Sequence, residues 1–241
     1  MWLEGRVVML RTVQLRYGSD NLGYLICGKS EAAAVDGGAV KEILAFLRSS
    51  GLRLSLVLNT HSHSDHTCGN RSLIESTGAR HLGCSHLARR GGFELEDARV
   101  EVIPTPGHTS DSICFHLEGS LLTGDTLFCG RVGRCFTGDV EGFYRSIMRI
   151  NSFPANTLIL GGHDYVEEYM EFAAMVEPGN SAIAEYLDAY DPENVSASLG
   201  VERTVDPFLR LNASAVVKCL LERHLPLDTG LQRFRSLLSL M

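Results

Sequence analysis

The chain has 241 residues, enough for one large domain or for a domain with a smaller appendage. Its formal net charge is −7, and its 22 basic residues include only three lysines, so the charge balance argues against nucleic-acid binding. No stretch approaches the roughly 20 apolar residues of a membrane span, and the N-terminal residues lack the apolar run of a signal peptide. The seven cysteines contain no CxxC pair, and without a signal peptide this predicts reduced thiols in a cytoplasmic protein. Together with the charge and the lack of a long apolar stretch, it leads us to expect a soluble protein that binds neither membranes nor nucleic acid.

The first two thirds of the chain have an α/β pattern. Apolar and alternating runs predict strands, and apolar residues at helical spacing predict helices. In chain order we expect a hairpin over 6–16 and 21–28 with its turn at YGSD, a strand over 31–38, a helix over 40–51, a strand over 52–60, a helix over 69–78 and a run of strands over 99–129. The helix over 40–51 should stop at Gly51, since glycine is common just past a helix C-terminus.

From about residue 142 onward the pattern is helical. Segments such as VEEYMEFAAMV, ASAVVKCLLERH and GLQRFRSLLSLM have apolar residues at helical spacing, and Pro, Gly and Asn separate them. We therefore expect an α/β domain over residues 1–165 and a helical C-terminal domain over residues 166–241.

The stretch NTHSHSDHTCGN, residues 59–70, places three histidines and an aspartate within six positions. If a strand ends here, His61 and His63 point to the same face, because side chains alternate along a strand. Asp65 and His66 follow where a helix begins, so they can face the same pocket. Imidazoles and carboxylates packed this closely are typical of a metal site.

Three further residues repeat this arrangement, with a polar side chain at the exit of an apolar strand. They are His108 in PTPGHTSDS, Asp125 in LLTGDTLF and His163 in TLILGGHDY. Catalytic and binding groups of α/β sheets gather at such strand ends. Five histidines and two aspartates make two half-sites with one carboxylate left to bridge them, so the sequence predicts a site for two divalent metal ions.

The order HxHxDH, GH, GD, GH resembles the metallo-β-lactamase superfamily, whose fold is an αββα sandwich. The resemblance implies that His61, His63 and His108 bind one metal, that Asp65, His66 and His163 bind the other, and that Asp125 bridges both. Asp65 and Asp125 are then also the expected catalytic carboxylates. The residues 1–165 would form the catalytic domain of this fold.

A narrower resemblance covers nearly the whole chain. The stretches LLTGDTLFCGRVGRCFTGD, GGHDYVEEYMEFAAMVEPGN and SASLGVERTVDPFLR are similar to the hydroxyacylglutathione hydrolase (glyoxalase II) family. The second and third stretches reach into the helical part, which other members of the superfamily generally lack. The resemblance implies hydrolysis of S-2-hydroxyacylglutathione to a 2-hydroxy acid and glutathione by a metal-bridging hydroxide, with the helical part contributing to the substrate pocket.

The same resemblance implies the residues that contact the substrate. A basic residue and a tyrosine that follow GD in the family match Arg134 and Phe136, so the charge is kept and the hydroxyl is lost. Tyr165 matches a tyrosine two residues after the last ligand. Arg235 matches a C-terminal arginine, and Leu238 stands where the family has a lysine.

The chemistry of the predicted site suits a thioester. Metal ions can lower the pKa of bound water to about 7 and polarise a carbonyl oxygen, and a thiol of pKa near 8.5 can leave without an acid. We find no obvious general acid, which an amide would require. Zinc is the metal we expect, and iron or manganese would accept the same ligands.

Three alternatives remain open at this point. A persulfide dioxygenase of the same fold shares HxHxDH and the tetrapeptide GHDY, here at residues 162–165. A hydrolase of a thioester of another thiol would explain Phe136 and Leu238 at positions that are usually polar. A non-catalytic metal-binding or partner-binding protein would explain the fold, but it has no need of seven intact ligand positions.

Overall fold

The computed structural model describes residues 9–241, and the first strand in this range is β1 (Arg11–Tyr17). Within that range, one unit comprises residues 9–104 and 113–118, and a second unit comprises residues 105–112 and 119–241. The predicted strand over 6–16 lies partly outside the described residues. Of its described part, residues 11–16 are strand, and β1 pairs in antiparallel fashion with β2 (Asn21–Cys27) as the hairpin prediction requires.

The first unit contains a five-stranded sheet in the order β1-β2-β3-β4-β5. β3 is antiparallel to β2, and β4 and β5 continue in parallel. Their bounds are Glu31–Val35 for β3, Arg53–Leu58 for β4 and Arg80–Leu82 for β5. β2 and most of β3 are buried throughout, which is why both read as continuous apolar runs in the sequence.

Helices α1 (Val40–Ser50) and α3 (Asn70–Thr77) pack on this sheet through apolar residues. The same unit contains the shorter helices α2 (Ser64–Thr67) and α4 (Cys84–Arg90). α1 directs Ile43 and Leu47 into a cluster with Leu25 and Leu73, and it ends at Gly51 with φ of +70°, as predicted. Three strands complete the unit as an antiparallel series: β6 (Gly92–Leu95), β7 (Ala98–Pro104) and β8 (Ile113–Leu117).

The second unit contains β9 (Ser120–Gly124), β10 (Leu158–Gly161) and β11 (Ala197–Ser198). β9 and β10 are parallel, and β10 and β11 are antiparallel. The register moves from Leu160 opposite Leu122 to Gly161 opposite Gly124, so β9 carries one extra residue, Thr123. This is a β-bulge at the end of the strand, and it changes the direction in which the following residues point.

Helices make up most of the remaining second unit, as predicted for the C-terminal part. Their bounds are Val140–Ile150 for α5, Val166–Val176 for α6, Ala182–Asp188 for α7, Leu199–Val205 for α8, Ser214–Glu222 for α9 and Gly230–Leu238 for α10. The Phe234 ring on α10 packs against Phe143 and Phe208 in the core of this unit. Within residues 9–241, no helix combines the length and apolar character needed to cross a bilayer.

All seven cysteines lie in the described part of the chain, and none of them forms a disulfide.

Candidate metal centre

The HxHxDH motif begins three residues after β4. His61 is 1% exposed, and His66, inside α2, is fully buried. His61 Nε2 lies 3.0 Å from His63 Nδ1, and the rings of His61 and His66 have centroids 4.2 Å apart. The histidines of the motif therefore converge at the end of an apolar strand of the first unit.

Asp36, directly after β3, holds His66 in one orientation. It is buried, and its φ is +51°, which is uncommon for a residue other than glycine. Its Oδ2 accepts the Thr60 hydroxyl at 2.7 Å and lies 3.1 Å from His66 Nδ1. Since Nδ1 faces this carboxylate, Nε2 of His66 is the nitrogen left to face a metal. Asp36 was not among the predicted site residues, although the DGG that follows an apolar strand marks its position.

Two side chains from the first hairpin position Asp65. The Asn21 amide donates to Asp65 Oδ2 at 2.9 Å, and the Tyr17 hydroxyl donates to the Asp65 carbonyl at 3.2 Å. Asp65 Oδ2 lies 3.4 Å from His66 Nε2. Asp65 and His66 thus present an oxygen and a nitrogen side by side.

In the second unit, the parallel strands β9 and β10 bring Asp125 and His163 together. Asp125 follows the last residue of β9, His163 comes two residues after β10, and the Gly162 amide donates to the Gly124 carbonyl at 3.0 Å. Asp125 Oδ2 lies 3.5 Å from His163 Nε2 and 3.5 Å from His108 Nε2. One carboxylate oxygen therefore sits between two imidazole nitrogens.

The outer nitrogens of these two histidines also have partners. His108 Nδ1 lies 3.0 Å from the Arg134 carbonyl, which accepts a hydrogen bond from it. His163 Nδ1 lies 3.2 Å from the Tyr165 hydroxyl, and the two rings stack with a 7° angle between their planes. The carbonyl partner requires a proton on Nδ1 of His108, so its Nε2, directed at Asp125, is the nitrogen that can bind a metal. The Nε2 of His163 is likewise directed at Asp125, with the Tyr165 hydroxyl beside Nδ1.

These distances fit a divalent metal ion. A metal bound at about 2.0–2.2 Å by nitrogen and oxygen holds tetrahedral neighbours about 3.3 Å apart. Separations of 3.0 Å in the first unit and 3.5 Å in the second are close to that value. Histidine nitrogens and carboxylate oxygens spaced in this way can hold divalent ions.

A cavity of about 360 Å³ in the second unit adjoins His108 and Asp125. Three of the predicted substrate contacts line it: Arg134, Phe136 and Tyr165. The Phe136 side chain is exposed, with its ring edge-on to His108 at 5.2 Å between centroids. The fourth predicted contact, Arg235, is an exposed residue of α10, and it is not part of this cavity lining.

Arg131 and Glu202 are two polar residues of this region that were not among the predicted site residues. Arg131 lines the cavity although it is 8% exposed. Glu202 on α8 is fully buried, where it accepts the Gly130 amide at 2.8 Å and the Tyr186 hydroxyl at 2.6 Å. Burial raises the pKa of Glu202 to about 7, and the hydrogen bonds limit the rise. Neither residue has a ligand-like spacing, so nothing in the sequence separates them from surface charges.

Family models match two parts of the chain. The metallo-beta-lactamase superfamily matches residues 19–97, and the hydroxyacylglutathione hydrolase C-terminus matches residues 164–237. The first match covers HxHxDH, and the second covers the helical part after His163.

Similar proteins extend these matches over most of the chain. A hydroxyacylglutathione hydrolase of Methylococcus capsulatus is 34% identical over 223 residues, which are 84% of this chain and 87% of that protein. One from Anaeromyxobacter dehalogenans is 36% identical over 222 residues, 83% of this chain and 86% of that protein. The crystal structure of ETHE1 from Myxococcus xanthus superposes with a TM-score of 0.65 at 25% identity, covering 94% of this chain and 98% of that one. The predicted fold class, an αββα metallo-β-lactamase sandwich with a helical C-terminal part, is confirmed.

Proposed function

Because the chain belongs to the hydroxyacylglutathione hydrolase family, with its metallo-β-lactamase fold, we propose that it hydrolyses the thioester of an S-2-hydroxyacylglutathione. Water adds its oxygen to the acyl carbon, the carbon–sulfur bond breaks, and the products are a 2-hydroxy acid and glutathione. The enzyme is a metal-dependent hydrolase. Its substrate partner is a small-molecule thioester.

The observation that carries this proposal is the position of Asp125 Oδ2, 3.5 Å from the Nε2 atoms of both His108 and His163. A carboxylate oxygen placed evenly between two imidazoles suits a bridging ligand. With this support, we assign His61, His63 and His108 to one metal, Asp65, His66 and His163 to the other, and Asp125 to both. Zinc is the proposed metal of each.

Two divalent ions held by this set would supply a hydroxide nucleophile near neutral pH and withdraw charge from the thioester carbonyl. Neighbouring groups of the protein orient the predicted ligands. Asp36 fixes the His66 ring, the Arg134 carbonyl fixes His108, and the Tyr165 hydroxyl fixes His163. Asp65 and Asp125 would be the catalytic carboxylates, because each presents an oxygen beside a histidine nitrogen of the predicted ligand set.

The leaving group explains why the site can work without a general acid. A glutathione thiol of ordinary pKa, about 8.5, departs as a thiolate at neutral pH. We propose that Arg134, Phe136 and Tyr165 line the path of the thiol portion in the cavity, and that Arg235 contacts its far end. The catalytic domain would then comprise residues 1–165, and the helical domain of residues 166–241 would complete the pocket. We place the enzyme in the cytoplasm, where glutathione is reduced.

The test is hydrolysis of S-D-lactoylglutathione by the zinc-loaded protein, with bound metal counted per chain. His163→Ala should lose one metal and most of the activity, while His86→Ala, which alters an exposed histidine on α4, should keep both. A wild-type protein with two metals and no turnover would refute the proposal. Oxygen uptake with a persulfide by that same protein would favour the dioxygenase alternative.

A further inference from the structure

Arg131 is a buried cation on the wall of the reaction cavity. Its side chain is 9% exposed, and it lines the same cavity as His108 and Asp125. The guanidinium carbon lies 4.0 Å from the centre of the Tyr169 ring and 5.2 Å from that of Phe172. Two aromatic rings from α6 therefore hold the guanidinium in place on one side.

The charge of Arg131 has a weak counter-ion. The nearest carboxylate oxygen of an ion pair, Oε1 of Glu168, lies 3.7 Å away on a side chain that is 67% exposed. Such a pair is too long for a strong hydrogen bond and competes with water. The Arg131 Nε has no hydrogen-bond partner in the described part of the chain. A guanidinium carries five donors in a planar fork, so the Nε donor is one that a ligand can still use.

The fully buried Asp206 does not serve as the counter-ion of Arg131. Its carboxyl accepts the Phe208 amide at 2.8 Å, and burial raises its pKa well above the usual value. Its Oδ2 has no hydrogen-bond partner in the described part of the chain, so no hydrogen bond joins it to Arg131. The ion-pair partner of Arg131 is therefore the distant and exposed Glu168.

A buried, unmatched cation is costly unless an anion reaches it. The cavity offers the route, because Arg131 lines it together with the metal ligands. Aromatic rings against the guanidinium fix its plane in advance, which lowers the entropy cost of binding a ligand. The planar set of guanidinium donors matches the two oxygens of a carboxylate or a phosphate.

We propose that Arg131 is a specificity-determining residue that binds a carboxylate of the thioester substrate, which rests on the proposed function. The carboxylate has two possible sources: glutathione carries two in the thiol portion, and the acyl group of some substrates carries another. Both would place a carboxylate against the guanidinium. Glu168, exposed and loosely paired, is the carboxylate that the substrate displaces.

Three probe substrates separate these sources. S-D-lactoylglutathione carries carboxylates in the thiol portion alone, S-glutaryl-N-acetylcysteamine carries one in the acyl portion alone, and S-D-lactoyl-N-acetylcysteamine carries none. For the wild type, Arg131→Gln and Arg131→Lys, we would measure kcat and KM on each probe and take ratios to the neutral probe. Because the ratio is taken within one preparation, a partly unfolded variant does not distort it.

Arg131→Gln should raise KM on one carboxylate probe by about 10- to 100-fold, as expected for a hydrogen bond between charged groups, with the neutral probe unchanged. Arg131→Lys should recover part of the loss, and Glu168→Gln should leave KM on that probe equal or lower. The matched control is Arg145→Gln, an exposed arginine paired with Glu141 on α5, which should change no ratio. The probe that responds identifies the source of the carboxylate.

Unchanged ratios in Arg131→Gln, with the wild type active on lactoylglutathione, would overturn this inference and leave the proposed function standing. A uniform loss on all three probes would also overturn it, because it would mean that Arg131 only supports the fold. No turnover of any probe by the two-metal wild type would refute the proposed function, and the inference with it.

Discussion

The Asp36 carboxylate lies 3.1 Å from Nδ1 of His66, although 30 residues separate the two along the chain. Asp36 adopts a φ of +51°, an unusual conformation that points its carboxylate at the imidazole and at Thr60. Strained backbone at such a position is tolerated when the surrounding contacts fix it. The orientation of one predicted ligand thus depends on a residue that is not a ligand itself.

Asp36→Ala should weaken metal binding about 10- to 100-fold, because His66 loses the partner that orients its ring. Competition with a chelator would measure the affinity. Asp36→Asn should be intermediate, since its amide oxygen still accepts and asparagine tolerates positive φ. Asp97→Ala, on an exposed turn between β6 and β7, is the control and should bind metal normally. Equal affinity in Asp36→Ala would mean that the carboxylate does not support the site.

Gly133→Ala should disrupt the loop that follows β9. A Cβ at this position would lie 1.9 Å from the carbonyl oxygen of Asp125. Because the clash is with a backbone atom, it can be relieved only by moving the backbone at one of the two residues. We expect a loss of about 1–3 kcal/mol in stability and a larger loss of activity, measured by urea unfolding and by hydrolysis. Gly179→Ala, whose Cβ would meet nothing within 4 Å, should be close to neutral. A fully active Gly133→Ala would contradict this account of the loop.

Phe136→Tyr should lower KM for S-D-lactoylglutathione. The ring is 63% exposed at the cavity, so a hydroxyl there can reach the substrate without entering the core. One neutral hydrogen bond corresponds to roughly a 2- to 12-fold change, with kcat nearly constant. Phe136→Leu, which adds no hydroxyl, is the comparison. An unchanged KM in the tyrosine variant would place the thiol portion away from this ring.

Stability should fall as the pH rises from about 5 to 8, because of Glu202. Its folded-state pKa of about 7 lies above its unfolded value, so the folded state holds the extra proton in this window. The contribution of Glu202 to the free energy of unfolding is complete below its unfolded pKa and is lost as the pH rises past 7. This contribution is on the order of 3 kcal/mol. Urea unfolding of the metal-loaded protein across this range would measure it.

Glu202→Gln isolates this effect from the titration of the ligands, because it leaves all seven of them in place. Its unfolding free energy should depend less on pH than that of the wild type. Parallel profiles for the two proteins would assign the pH dependence to other groups.

The predicted ligands follow local patterns in the sequence, whereas the residues that contact them do not, for a physical reason. His61, His63 and His66 lie within one short segment, and strand and helix periodicity alone places them together. His108, Asp125 and His163 follow apolar strands, which is also a local signal. Asp36 acts on His66 across 30 positions and Arg131 packs on rings of α6, so both depend on tertiary contacts that no local pattern contains.

Short elements were also missed. No prediction covered β5, α4 or β6, residues 80–95, because three to seven residues are too few to establish a period. α8 was missed as well, since its glycine and β-branched residues are poor helix formers. Its helix is stabilised at the start by the Ser198 side chain, which accepts the Val201 amide, and by the buried contacts of Glu202.

The bulge at Thr123 limits how the length of this chain can change during evolution. Loss of that residue would reverse the alternation at the end of β9 and turn Asp125 away from His163. The connection between the two strands is also held in place near its end, because the Arg203 guanidinium donates to the Asn151 and Phe153 carbonyls. Natural length variation should therefore spare β9, β10 and this turn.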